Sequence, residues 1–291
     1  MRFNKFVLNI LMKIKIIVVI AFFLLISVMV KSQTLTYMEW VERSAEHINN
    51  NNMDSAAITL QKAMKLEPSN ENNSVLLLNL GIIQRQLGNY EDAYISFTAS
   101  LPNNPIKDIV LHNRASLLVE LDRYEDAMED YNILINDFPD DIEAYYRRGL
   151  LYLEENNRTS AEADFKKSEE IDPNNMYTKL SKALLYKLDD KWELAEMVYT
   201  DLIKSEQNSD PSFYINRAEC YINIGKLLLA SSDLRIIEMS QRENPYFYFL
   251  RGRVRLDQFD YVAAKADFQK SKSMGYDEDI VDEWLKKTDK K

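Results

Sequence analysis

Residues 108–141 and 142–175 of this chain can be laid over one another at a shift of 34 residues. In the first stretch Ala115, Tyr124, Ala127, Tyr131 and Pro139 stand at places 8, 17, 20, 24 and 32. In the second, Gly149, Ala161, Phe165 and Pro173 stand at places 8, 20, 24 and 32. A fixed period of this length predicts a stacked array, because one unit cannot bury its apolar face without its neighbours. Chain length is then a poor guide to domain count.

The alanine at place 20 extends the ruler in both directions, through Ala56, Ala93, Ala127, Ala161, Ala195, Ala230 and Ala264, at steps of 37, 34, 34, 34, 35 and 34. Place 8 is small throughout: Ser44, Gly81, Ala115, Gly149, Ala183, Ala218 and Gly252. Place 24 is large throughout: Leu60, Phe97, Tyr131, Phe165, Tyr199, Leu234 and Phe268. Apolar residues within each half recur every three or four positions, the helical rhythm. Each unit therefore reads as two helices crossing closely where a small residue meets a bulky one. Only 6 Gly and 7 Pro in 291 residues suit such a helical chain.

Turn chemistry falls in step. Asn49 to Asn52, Gly88-Asn89, Asn156-Asn157, Asp189-Asp190 and Gly225-Lys226 interrupt the units midway, where a first helix must stop. Pro68, Pro105, Pro139 and Pro173 are placed to close second helices, and Pro211 and Pro245 to open first ones.

Small at 8, aromatic at 17, Ala at 20, aromatic at 24 and Pro at 32 is a pattern that resembles the tetratricopeptide repeat. The resemblance implies an all-α fold, an α-solenoid coiled as a right-handed superhelix. Seven units are read at 37–70, 74–107, 108–141, 142–175, 176–209, 211–244 and 245–278. Residues 33–36 form a short lead-in, and 279–291 a capping helix and tail whose stripe is Ile280, Val281, Trp284 and Leu285. Ser44, His47 and Lys179 depart from the pattern at expected core places, and Glu206 to Asp210 is a candidate bend.

The resemblance also implies a site. Such proteins hold a partner peptide or helix in a concave groove lined by their first helices. Carried onto this chain, the lining residues are Tyr146, Leu150, Tyr177, Leu180, Leu184, Tyr246 and Phe249, with Asn113, Arg147 and Asn216 as polar members. The alternative is that these side chains contact neighbouring helices and are core. A carboxylate clamp of the kind found in some co-chaperones is rejected, because Leu78, Ile82 and Glu143 replace three of its five residues.

The first 32 residues have the layout of a secretory signal peptide: a basic start, an apolar run from Ile16 to Val30 broken only by Ser27, and a small residue before Gln33. A helix of that run spans roughly 22 Å, short of a hydrocarbon core of about 30 Å. An uncleaved anchor, lengthened toward Phe6, is the competing reading. Either one places the rest of the chain outside the cytoplasm, in the periplasm, touching membrane only through this segment. The Lys31-Ser32-Gln33-Thr34 junction resembles that of exported repeat proteins of Bacteroidota.

No enzyme chemistry is legible. His47 and His112 belong to no metal-spaced cluster, and Cys220 has no histidine near it in sequence. Phosphate-binding glycine loops and nucleophile elbows are absent from the sequence. No cofactor is expected, and Cys220 reads as a packed thiol or, failing that, an intermolecular pairing partner. A net charge of −10 argues against nucleic acid as partner and leaves a protein or peptide.

Overall fold

The computed structural model describes residues 35–205 and 210–289. The leader expected at 1–32 and most of the candidate bend therefore lie outside the described residues. Among the described residues no helix is long and apolar enough to cross a membrane.

A single backbone device recurs through the chain. Asn51, Gly88, Asp122, Asn156, Asp190, Gly225 and Phe259 all have positive φ, between 56° and 78°. Each lies five residues before a ruler alanine. In each case the next residue's N–H reaches back to a carbonyl five positions earlier, as Asn157 does to Tyr152 at 2.7 Å and Asp260 to Arg255 at 2.8 Å. This 6→1 bond, with a 5→2 bond inside it, is the Schellman motif that closes a helix by satisfying its last carbonyls. The left-handed residue ends one helix and lets the next begin within a few positions.

Fifteen helices result among the described residues. One unit of the chain ends at Arg123 and a second begins at Tyr124. The first unit holds α1 (Tyr37–Asn49), α2 (Met53–Leu66), α3 (Asn73–Gln86), α4 (Tyr90–Ser100) and α5 (Lys107–Glu120). The second holds α6 (Tyr124–Asp137), α7 (Ile142–Glu154), α8 (Arg158–Ile171), α9 (Met176–Leu188) and α10 (Trp192–Ser205). It continues with α11 (Pro211–Asn223), α12 (Leu227–Ile237), α13 (Pro245–Asp257), α14 (Tyr261–Ser273) and α15 (Glu278–Thr288).

The core sits where hairpin partners cross. Every ruler alanine is fully buried. A Cβ added to Gly81 would fall 2.6 Å from the Phe97 ring, and one added to Gly252 would fall 2.7 Å from Phe268. Gly149 abuts Phe165 in the same way. Size is matched across the crossing: glycine faces phenylalanine, while Ala183 shares a cluster with Tyr199 and Ala218 one with Leu234. Each such ring withdrawn from water contributes about 1.5–3 kcal/mol, so the crossings carry much of the stability of each hairpin.

The prolines expected at helix ends stand there with one exception. Pro211 and Pro245 begin α11 and α13, where Asp210 and Asn244 side chains accept from the N–H groups of Ser212 and Tyr246. Pro105, expected to close α4, does not. The helix ends at Ser100, because Pro102 has no N–H to give the Thr98 carbonyl. Asn104 then fills the corner, its Nδ2 donating to the Ser74 carbonyl at 3.0 Å. At the C-terminal end α15 covers the last hairpin with Val281 buried and Trp284 set against Phe249 and Phe268. Ile280, expected in its apolar stripe, is 42% exposed.

Candidate functional site: the face of the first helices

In the second unit the first helices α7, α9, α11 and α13 succeed one another as a row. Tyr146 of α7 lies 5.4 Å from the Tyr177 ring of α9 and 6.3 Å from Phe165 behind it. Arg147 donates from Nε to Glu143 at 3.1 Å. Burial, and then a hydrogen bond to Glu143, push the Tyr177 hydroxyl up to about 12. Leu150, Leu180 and Leu184 are half-buried along the same helices.

A second polar group joins α9, α11 and α13. Lys187 donates to Asn216 Oδ1 at 2.8 Å and pairs with Glu219, both charged side chains being more than four-fifths buried. Burial first, and the nearby charge of the Glu219 carboxylate second, hold the Tyr246 hydroxyl above the ordinary tyrosine range. Tyr246 stacks on Tyr276 at 5.6 Å, and Arg253 stands over Trp284 at 4.9 Å.

The expected site residues thus divide. Tyr146, Arg147 and Tyr177 form one group around Glu143, and Asn216 and Tyr246 a second around Glu219. Phe249 is 5% exposed and enclosed by Phe268, Tyr276 and Trp284, which puts it in the core. Asn113 lies on α5 in the first unit, its Nδ2 bonded to the Ile109 carbonyl at 2.8 Å. Cys220 is buried in the cluster of Tyr199 and Phe213, and burial pushes its thiol up to about 12. That surrounding fits a packed thiol and leaves none of it exposed for pairing with another chain.

Lys187 and Glu219 escaped the sequence reading, although a lysine at place 12 followed by an acid at place 9 of the next unit was there to be found. A more regular signal was also available. Arginine at place 7 and aspartate at place 23 recur sixteen residues apart as Arg148 and Asp164, Arg217 and Asp233, and Arg251 and Asp267. Each pair is bidentate, with both bonds between 2.6 and 2.9 Å.

Hairpins locked at a small-to-large crossing and tied by a buried arginine–aspartate pair define a helical-repeat scaffold rather than a single globular core. Models of the tetratricopeptide repeat match residues 110–141 and 142–175. The crystal structure of a tetratricopeptide repeat protein from Parabacteroides merdae is 37% identical, covers 87% of this chain and 98% of its own, and superposes with a TM-score of 0.67. This chain belongs to the tetratricopeptide repeat family. The hetero-tetramer of Cut9 and Hcn1 from the APC/C superposes at 0.65 with 12% identity, over 87% of this chain and 56% of that one. PilW, a type IV pilus biogenesis factor, superposes at 0.55 with 16% identity, over 70% and 92%. These two show the shared fold. No curated protein sequence matches the chain.

Proposed function

We propose that this protein is a non-enzymatic interaction scaffold outside the cytoplasm, taking a peptide or helix of a partner protein along the face of its first helices. The observation that carries the reading is the row of half-buried Tyr146, Tyr177, Leu180, Leu184 and Tyr246, which offers apolar area beside fixed polar groups. Side chains of this kind bind well, because they bury much surface while giving up little rotamer freedom. Family membership supports a protein partner, and a fold of this kind is found in a hetero-tetramer in the case of Cut9 and Hcn1. The basic and apolar pattern of residues 1–32 supports export to the periplasm.

Capture from an envelope extract tests the binding face. The wild-type chain is expected to retain a dominant partner, and the double variant Tyr146→Ala with Tyr246→Ala to lose it while keeping its helical circular dichroism. Undiminished capture by a folded double variant overturns the groove. The mass of the native protein tests the leader: an N-terminus at or near Gln33 supports cleavage, and an intact Met1 supports the membrane-anchored adaptor instead.

A further inference from the structure

The place-7 arginines reach beyond their own hairpins. Arg148 sends Nη1 to Asn132 Oδ1 at 2.7 Å, and Arg217 sends Nη1 to Thr200 Oγ1 at 3.1 Å. In the first unit Arg114 reaches Thr98 in the same way at 3.1 Å. All three acceptors hold place 25 of the preceding repeat, so a neutral oxygen closes each seam. Where place 7 is lysine, Lys182 crosses instead to Glu169 at 2.8 Å.

The seam between α12 and α13 follows the lysine seam rather than the neutral ones, since Glu238 holds place 28 as Glu169 does, and place 25 is a cation in both, Lys166 and Arg235. Place 25 there is Arg235, and a guanidinium accepts no hydrogen bond. Arg251 turns its Nη1 to Glu238, 2.8 Å away. A pocket of about 230 Å³ opens at this seam, with Arg235, Glu238, Arg251 and Arg255 among its walls beside the almost fully buried Leu234, Phe247 and Val254. Arg251 and Arg255 share Asp267, while Arg235 makes no hydrogen bond or ion pair among the described residues. Three guanidiniums against two carboxylates leave one positive charge beside an apolar wall, in a chain of net charge −10.

We propose that this seam is a binding site for one carboxylate carried on a short apolar stem. A guanidinium fork matches the two oxygens of a carboxylate, and a single excess charge suits a monoanion better than a phosphate dianion. The volume is below the roughly 300–1,000 Å³ of pockets for drug-sized ligands, which suits one side chain or one small acid. Two carriers share that chemistry: a free short-chain carboxylic acid and the C-terminal residue of a peptide. The site uses no residue of the first-helix face proposed above.

The test is a titration of the purified protein followed by nuclear magnetic resonance at the Arg235 side-chain N–H and the Leu234 and Val254 methyl groups. The probes are 4-methylpentanoate and the peptide Gly-Ser-Gly-Leu, each as free acid and as amide. Saturable shifts with the acids and none with the amides are expected. Arg235→Gln, at an exposed position, is expected to weaken binding about tenfold or more, while the Tyr146→Ala, Tyr246→Ala variant binds as the wild type. A peptide acid at least about tenfold tighter than 4-methylpentanoate assigns the site to a chain terminus, and comparable affinities assign it to a free acid. Arg235→Glu supplies a carboxylate within the seam, and is expected to raise the unfolding temperature and abolish binding. Equal shifts with the amides, or affinity unchanged in either Arg235 variant, overturn the proposal.

Discussion

The guanidinium of Arg148 grips both oxygens of Asp164, at 2.8 and 2.6 Å, across sixteen residues of chain. The carboxylate is 7% exposed and the guanidinium 17%, so neither is free to find water if its partner is lost. Removing one member of a buried pair costs about 3–5 kcal/mol, and the partial exposure of Arg148 lowers that figure. Asp164→Ala is therefore expected to destabilise by about 2–3 kcal/mol in urea unfolding. Glu162→Ala, which breaks a pair 47% exposed on both sides, is expected to change stability by less than about 1 kcal/mol. Equal effects from the two substitutions would remove the clamp from the account of stability.

Gly149 leaves room for the Phe165 ring and for nothing else. Gly149→Ala gains about 1 kcal/mol of helix propensity, yet its methyl must displace a ring that is 3% exposed. The net expectation is a loss of about 1–3 kcal/mol. Adding Phe165→Leu reproduces the Ala218 and Leu234 pairing of a later hairpin. The double variant is expected to be more stable than the sum of the two single changes by more than about 0.5 kcal/mol. Additive behaviour in the same unfolding series would contradict the size matching.

Phe259 occupies a left-handed conformation, φ 64°, that Gly, Asn or Asp holds at the six equivalent turns. Its side chain is 76% exposed, so little packing offsets the strain. A left-handed non-glycine residue costs about 1–2 kcal/mol, and the flexibility of glycine in the unfolded chain returns part of the gain. Phe259→Gly is expected to raise stability by about 0.5–1 kcal/mol, read as a higher denaturation midpoint with an unchanged slope. A lower midpoint would mean that the edge-on contact of the ring with Tyr261, 6.4 Å between centroids, outweighs the strain.

Burial pushes the Cys220 thiol up to about 12 from its ordinary 9.0, with Lys187 pulling the other way. A folded-state value above the unfolded one makes the native chain hold its proton longer as pH rises. The associated stability is therefore intact below about pH 9 and lost as pH climbs toward 12. Unfolding measured between pH 8 and about 11 is expected to show a smaller alkaline decline in Cys220→Ala than in the wild type. Thiol labelling of the wild type at neutral pH is expected to follow unfolding. Rapid labelling of the folded chain would show that the cluster around Cys220 opens on its own.

Much of the architecture was legible because it is local and repeated. A small residue sixteen positions before a large one can be read off the chain, and so can a helix stop rich in Asn, Asp and Gly. The stop at Phe259 was not legible, since phenylalanine carries no turn signal. Pro105 misled for a related reason: Pro102 had already removed a hydrogen bond that α4 needed. The face of the first helices was legible as a set of places, while its division into two groups around Glu143 and Glu219 was not.

The sequence by itself determined the helices, their pairing and the crossing points, because each depends on residues close together in one repeat. Tertiary structure alone decided that Phe249 is core, that Lys187 meets Glu219, and that Arg235 is left without an ion-pair partner among the described residues at the seam of α12 and α13. Those outcomes depend on side chains of successive hairpins meeting in space, where burial and charge are settled by neighbours that no single repeat contains.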